Sequence, residues 1–210
     1  LVDGIRKAGI HNGGRLRFGP DGTLYAGTGD AGATSLAPKA DSLNGKILAI
    51  DTEAKKSTVF TKGHRNPQGL CFDAAGRFLS TEHGPDRGDE VNVIEKGKDY
   101  GWPASSGDGI KNYTPTIALA GCAMYESDAI PQWKGSLLFT TLKDQDLRRL
   151  TFNADGSVAD EEILYDSKYG RLRDVTVGPD GAVYVATSNK DTRGNPKSGD
   201  DRIFKIAPKP

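Results

Sequence analysis

The chain of 210 residues has no excess of charge: 28 Lys and Arg balance 28 Asp and Glu. That leaves no basic field for nucleic acid and no polybasic arm for a membrane surface. No apolar run approaches the ~18–20 residues of a membrane-spanning helix. No secretory leader is seen, so the sequence reads as a mature, trimmed or cytoplasmic form whose first residues, LVDGIRKAG, start in mid-domain. Cysteine is scarce. Cys71 and Cys122 read as two buried thiols, with a single disulfide as the alternative in an oxidising compartment. His64 and His83 lack the HxH or HExxH spacing of a zinc or iron site. GxSxG, P-loop and GxGxxG-plus-helix patterns are also missing. What is plentiful is glycine, at 27 residues, with 11 prolines. They gather in short clusters such as GPDG, HGPDRGD and VGPDG. This is turn punctuation between short strands, and it predicts an all-β protein.

Four segments align on a turn glycine: PDGTLYAGTGD, AAGRFLSTEHG, WKGSLLFTTLK and PDGAVYVATSN. The glycines are Gly22, Gly76, Gly135 and Gly181, spaced by 54, 59 and 46 residues. A repeat of roughly 40–50 residues built from short antiparallel strands matches a four-stranded propeller blade. About four blades are therefore expected.

The repeat organises the first distinctive stretch, HNGGRLRFGPDGTLYAGTGD (11–30). It is a hairpin with a histidine before it and an aspartate after it, so His11 and Asp30 should meet at its open end. Eight residues after each turn glycine come Asp30, Gly84, Lys143 and Asn189. Eleven before it come His11, Arg65, Met124 and Gly170, the last followed by Arg171 and Arg173. In a propeller the corresponding ends converge on the axis. The expectation is one funnel holding a base, its carboxylate and several cations. A carboxylate fixes the tautomer and raises the basicity of a neighbouring histidine. Clustered Lys and Arg call for an anion, and Arg suits flat carboxylates. A polyanionic ligand follows.

GHRNPQGL (63–70) sets Arg65, Asn66 and Gln68 just ahead of a strand. TEHGPDRGDEVNVIEKGKDYGWP (81–103) contains a tight HGP turn and the run DRGDE. The run offers the hard oxygens that Ca²⁺ takes, against the plainer reading of a solvated acidic loop. Tyr100 and Trp102 read as packing residues.

Together these stretches resemble the soluble pyrroloquinoline quinone (PQQ) dependent glucose/sorbosone, or aldose sugar, dehydrogenases, along nearly the whole chain. LKDQDLRRL and RLRDVTVGPDG complete the resemblance. It implies a β-propeller oxidoreductase that takes a hydride from the anomeric carbon of an aldose. His11 would be the general base, Asp30 its support, and Arg65 the group over the quinone oxygens. Asn66 and Gln68 would border the pocket. Lys143, Arg171 and Arg173 would hold the PQQ carboxylates. Carbonyls of Gly84 and Pro85 would ligate a Ca²⁺ at the cofactor, with Glu90 and the Tyr100 carbonyl at a second, structural Ca²⁺. An extracytoplasmic location is implied by the resemblance alone. The sugar and the electron acceptor stay open.

The family's propeller has six blades, so a single domain over 1–210 lacks about two at its N-terminal side. A piece of a longer protein, a ring closed at four blades, or association with a second copy would each answer to that. Exposed strand edges on a bare arc favour the closed form. A narrower ring would leave two further readings: non-redox acid/base chemistry on a carboxylated ligand, or a non-catalytic Ca²⁺-stabilised module.

Overall fold

The computed structural model describes residues 1–106 and 108–208. They divide into two compact units, Leu1–Thr116 and Ile117–Pro210, each containing two sheets. In the first unit β1 (Gly13–Phe18), β2 (Leu24–Thr28), β3 (Lys46–Asp51) and β4 (Lys56–Lys62) form one antiparallel meander. A second meander follows with β5 (Pro67–Phe72), β6 (Phe78–Glu82), β7 (Asp89–Val93) and β8 (Lys111–Tyr113). The second unit holds β9 (Leu119–Tyr125), β10 (Ser136–Thr141), β11 (Leu147–Phe152) and β12 (Val158–Leu164). Its other sheet is β13 (Leu172–Val177), β14 (Val183–Thr187) and β15 (Ile203–Ile206). Strands adjacent in sequence are adjacent in every sheet, which is the pattern of propeller blades. Three sheets have the expected four strands, and the last has three among the described residues.

Burial explains why the strands differ in pattern. The second strands β2, β6 and β10 are buried throughout, apolar at their centres or starts and with buried Ser, Thr or Glu toward their ends. Leu24, Ala26, Leu48 and Ile50 fill one face of the first sheet, while Tyr25 and Ile47 pack with Leu70, Phe78 and Ile94 on the other. The outer strands β4 and β12 keep polar residues in water. In the second unit, Ala123, Tyr125, Leu138, Leu147, Val175 and Val185 belong to one core cluster.

The turn glycines are where the repeat puts them. Gly22, Gly76, Gly135 and Gly181 all have φ between 73° and 82°, the left-handed region that disfavours a Cβ. In three blades the closure is identical: Gly19, Asp73 and Gly178 each donate N–H to the carbonyl four residues on. The third blade differs. Its first hairpin is joined by a ten-residue connection, Glu126–Gly135, containing a 3₁₀ turn. Counting back eleven from Gly135 therefore lands on Met124 inside β9, not ahead of the strand. The forward count survives in all four blades, because Asp30, Gly84, Lys143 and Asn189 each lie two residues past the second strand.

A feature the repeat did not announce is a register shift near the open end of each inner hairpin. It falls between Gly13 and Leu16, Pro67 and Gly69, Phe139 and Thr141, and Leu172 and Asp174. Such bulges re-aim side chains at the ends of strands. Gln68 and Arg173 are the extra residues in their blades.

Candidate active site

His11 stands ahead of β1 with φ 53°. Its carbonyl accepts the Ala31 N–H at 2.9 Å, so the chain crosses directly over Gly29. A Cβ on Gly29 would lie 2.0 Å from the His11 oxygen, and glycine alone permits the approach. One residue on, the Asp30 N–H donates to the Arg65 carbonyl at 2.8 Å. The backbone thus joins His11, Asp30 and Arg65, contributed by two neighbouring blades of the first unit.

The side chains complete the arrangement. His11 Nδ1 lies 2.9 Å from Asp30 Oδ1, with His11 19% exposed and Asp30 fully buried. Asp30 Oδ1 also accepts the Gly32 N–H at 2.8 Å, and Oδ2 accepts the Trp102 indole N–H at 2.9 Å. Burial alone would raise the Asp30 carboxyl. The hydrogen bonds from His11, Gly32 and Trp102 outweigh it and hold the group below the ordinary carboxylate range. An ionised Asp30 accepts the Nδ1 proton, which leaves the lone pair of the neutral imidazole on Nε2. The loop after Asp30 is pinned by Lys46, whose buried ammonium donates to the carbonyls of Leu36, Ala37 and Asn44 at 3.0, 2.8 and 2.7 Å. Asn44 in turn donates from its side chain to the Gly29 carbonyl.

Arg65 is half-buried. Its Nη1 donates to the His83 carbonyl at 3.1 Å, and its guanidinium lies 5.4 Å from the centre of the Trp102 ring. Its Nε is buried with no hydrogen-bond partner among the described residues. Burial lowers the guanidinium's affinity for its proton, opposed by Asp30, Glu82, Asp89 and Asp86. Glu82 holds the backbone of this segment. Its Oε1 accepts the N–H groups of Arg65 and Asn66, and its Oε2 lies 2.8 Å from His64 Nδ1. His64 is buried, contacts Thr61 Oγ1 through Nε2, and stacks on Tyr100. Asn66 and Gln68 serve mainly as ties. Asn66 Oδ1 accepts the Gly13 N–H and the Gln68 side-chain amide.

The expected metal ligands lie near Arg65. Gly84, Glu90 and Tyr100 line one narrow cavity with Arg65, Glu82 and Trp102, while Pro85 is exposed beside it. The Gly84 N–H donates to Asp89 Oδ1 at 2.7 Å, and a Cβ on Gly84 would meet the Arg87 and Gly88 carbonyl oxygens at 2.1 and 2.5 Å. Among the described residues no three His, Cys, Asp or Glu side chains are grouped to hold a metal. A cation here would depend on main-chain oxygens and the buried carboxylate of Glu90, which is a donor set of the hard kind.

The second unit carries the remaining cations. Lys143 is exposed, two residues past β10. Arg171 donates from Nε and Nη2 to Asp191 at 3.0 and 2.8 Å, and from Nη1 to the Leu142 carbonyl. Arg173 reaches the same carboxylate at 3.2 Å. Burial would raise Asp191, but hydrogen bonds from Arg171 hold it low. Asp191 thus carries one negative charge between two arginines. Cys71 and Cys122 are buried thiols, and neither forms a disulfide.

The sequence profile of the glucose/sorbosone dehydrogenases matches residues 3–195. The chain belongs to this family. It is 32% identical to an aldose sugar dehydrogenase of Escherichia coli (strain K12), over 86% of this chain and 58% of that protein. It is 36% identical to quinoprotein glucose dehydrogenase B of Acinetobacter calcoaceticus, over 51% of this chain and 29% of that one. The PQQ-bound aldose sugar dehydrogenase of Streptomyces coelicolor superposes with a TM-score of 0.85 at 38% identity, covering 97% of this chain and 64% of that one. The chain thus spans little more than half the length of the Escherichia coli relative.

In this glucose/sorbosone dehydrogenase chain, three functional candidates escaped the sequence reading. Trp102 was placed among packing residues, yet its indole donates to Asp30. Glu82 ends β6, and nothing in the run FLSTE marks it as a brace. Asp191 sits in a polar loop outside the repeat positions, and only its closeness in sequence to Asn189 could have suggested it.

Proposed function

We propose that the protein oxidises an aldose at its anomeric carbon to the lactone, with His11 as the general base. The contact between His11 Nδ1 and the buried, ionised Asp30 carries this reading, because it presents Nε2 as a proton acceptor on a partly exposed ring. The sugar loses the hydroxyl proton to Nε2 as the anomeric C–H bond breaks. PQQ, when bound, supplies the two-electron acceptor for the hydride. Arg65, whose buried Nε has no partner among the described residues, would face the quinone oxygens, beside Asn66 and Gln68. Lys143, Arg171 and Arg173 would take cofactor carboxylates, both arginines oriented by Asp191. Carbonyls of Gly84 and Pro85 would hold one Ca²⁺, and Glu90 with the Tyr100 carbonyl a second. We place the protein outside the cytoplasm on its family membership alone. A second reading keeps the His11–Asp30 pair for acid/base chemistry on a carboxylated ligand without PQQ.

The test is a titration of metal-free protein with PQQ, with and without Ca²⁺, followed by thermal unfolding. A Ca²⁺-dependent rise in melting temperature, diminished in Arg65→Ala and Lys143→Ala, with aldose turnover by the loaded protein, is the expected result. No shift at saturating PQQ would select the acid/base reading.

A further inference from the structure

We propose that Trp102 is a positioning residue for the His11–Asp30 pair, clamping the carboxylate through its indole N–H and Arg65 through its ring face. This rests on the reading of His11 as the base. Trp102 lies 72 positions from Asp30, yet its Nε1 donates to Oδ2 at 2.9 Å. Oδ1 is already shared by His11 and the Gly32 N–H. The two oxygens are therefore held from opposite sides, and the plane of the carboxylate is fixed. A carboxylate held on one oxygen only could rotate about its Cβ–Cγ bond and lose its alignment with Nδ1.

The clamp is itself anchored. The Trp102 N–H donates to the Gly63 carbonyl at 3.0 Å, and the Tyr100 N–H donates to the Lys62 carbonyl at 2.9 Å. The loop that carries the indole is thus bound to the segment leading directly into Arg65. The guanidinium then rests 5.4 Å from the ring centre, within the range of a cation–π contact. One side chain therefore touches both the carboxylate that orients the base and the cation expected over the cofactor. A packing role accounts for the ring. It does not account for an indole N–H aimed at the one buried carboxylate that holds His11.

The chain contains two tryptophans, Trp102 and Trp133, so ¹⁵N-indole NMR of the full chain gives two signals, assigned in the wild type by correlation to each tryptophan's backbone. In the wild type, the Trp102 indole proton should shift with pH in step with the Asp30 carboxyl carbon, while the Trp133 proton stays still. In Trp102→Phe, which keeps an aromatic ring, the Asp30 titration should move upward, and the His11 ring nitrogens should show a mixture of tautomers. With PQQ and aldose, kcat should fall about tenfold with KM within twofold, the loss of one hydrogen bond to a charged group. In an Asp30→Asn background the same substitution should cost nothing further. The proposal is overturned if the Trp102 indole ignores the Asp30 titration in the wild type, a result that needs no variant to fold. It is overturned equally if folded Trp102→Phe leaves the Asp30 titration and the His11 tautomer unchanged. Absence of sugar turnover would count against the oxidoreductase reading alone, since both NMR results are independent of it.

Discussion

Asp30→Asn is the most demanding perturbation of the site, and its cost can be worked out atom by atom. The carboxylate accepts three hydrogen bonds: His11 and Gly32 at Oδ1, and Trp102 at Oδ2. An amide has one oxygen and one NH₂. If its oxygen faces His11 and Gly32, the NH₂ opposes the Trp102 N–H, and two donors meet in a buried site. In the other orientation the NH₂ opposes the Gly32 N–H and donates to His11 Nδ1, which moves the ring proton to Nε2 and removes the base. Losing a charge-assisted hydrogen bond costs about 1.5–3 kcal/mol, and a buried donor left unpaired about 1–3 kcal/mol. The expected destabilisation is about 3–5 kcal/mol near neutral pH, a large part of the 5–15 kcal/mol that typically holds a domain.

The sign with pH follows from the direction of the Asp30 shift. Its folded-state value is depressed, so its stabilisation is present above the ordinary carboxylate range and lost as pH falls through the native value. Urea melts from pH 7 down to pH 3 should therefore show the wild type and variant converging in acid. Turnover by PQQ-loaded protein should fall about 10³-fold or more, as expected when the base is held in the wrong tautomer. Destabilisation under about 1 kcal/mol, a gap that does not narrow in acid, or turnover within tenfold of wild type would refute this account of the carboxylate.

Two further predictions test the surroundings. Burial, and secondarily the charge on Lys62, pushes the Lys46 ammonium down to about 8, against the three carbonyls that hold it. The unfolded chain then binds more protons than the native one between pH 8 and 10.5, so wild-type stability should rise over that window by up to about 3 kcal/mol. Lys46→Met should lack that rise in parallel denaturant melts, and a shared slope would exclude Lys46 as its source. Gly29→Ala would place a methyl 2.0 Å from the His11 carbonyl and should cost roughly 2 kcal/mol or more along with the His11–Asp30 contact. Gly22→Ala meets no atom within 4 Å and should cost only about 1 kcal/mol through its φ of +78°, with the site intact. Thermal melts and His11 NMR signals would separate the two glycine variants.

The blades were legible because a turn glycine needs a left-handed backbone and the strand after it carries apolar residues in its first half, and both leave marks at regular intervals. The His11–Asp30 contact was legible from the hairpin only approximately: the strands pair about Asp21 near the turn, and the bulge between Gly13 and Leu16 brings His11 level with Asp30. Counting failed where geometry and spacing part company. The long connection before Gly135 displaced Met124 into a strand, and the bulges at Gln68 and Arg173 shifted register without any composition of their own. Asp191 and Trp102 were hidden for a different reason. Their contacts join loops, and loop-to-loop contacts follow no period. Glu82 resembles a strand residue until its two oxygens are traced to Arg65, Asn66 and His64.

The identical turn closures at Gly19, Asp73 and Gly178 lie at one end of strands whose other end carries the site residues. Five or six residues of extended chain separate the two, about 17–20 Å. The hairpin tips are thus natural attachment points. A peptide tag, a fluorophore or an electrode linker grafted at Pro20–Asp21 or Pro179–Asp180 would ride on a closed turn without touching the chemistry. A linker at the Pro20–Asp21 tip would sit at the far end of its hairpin from His11 and Asp30.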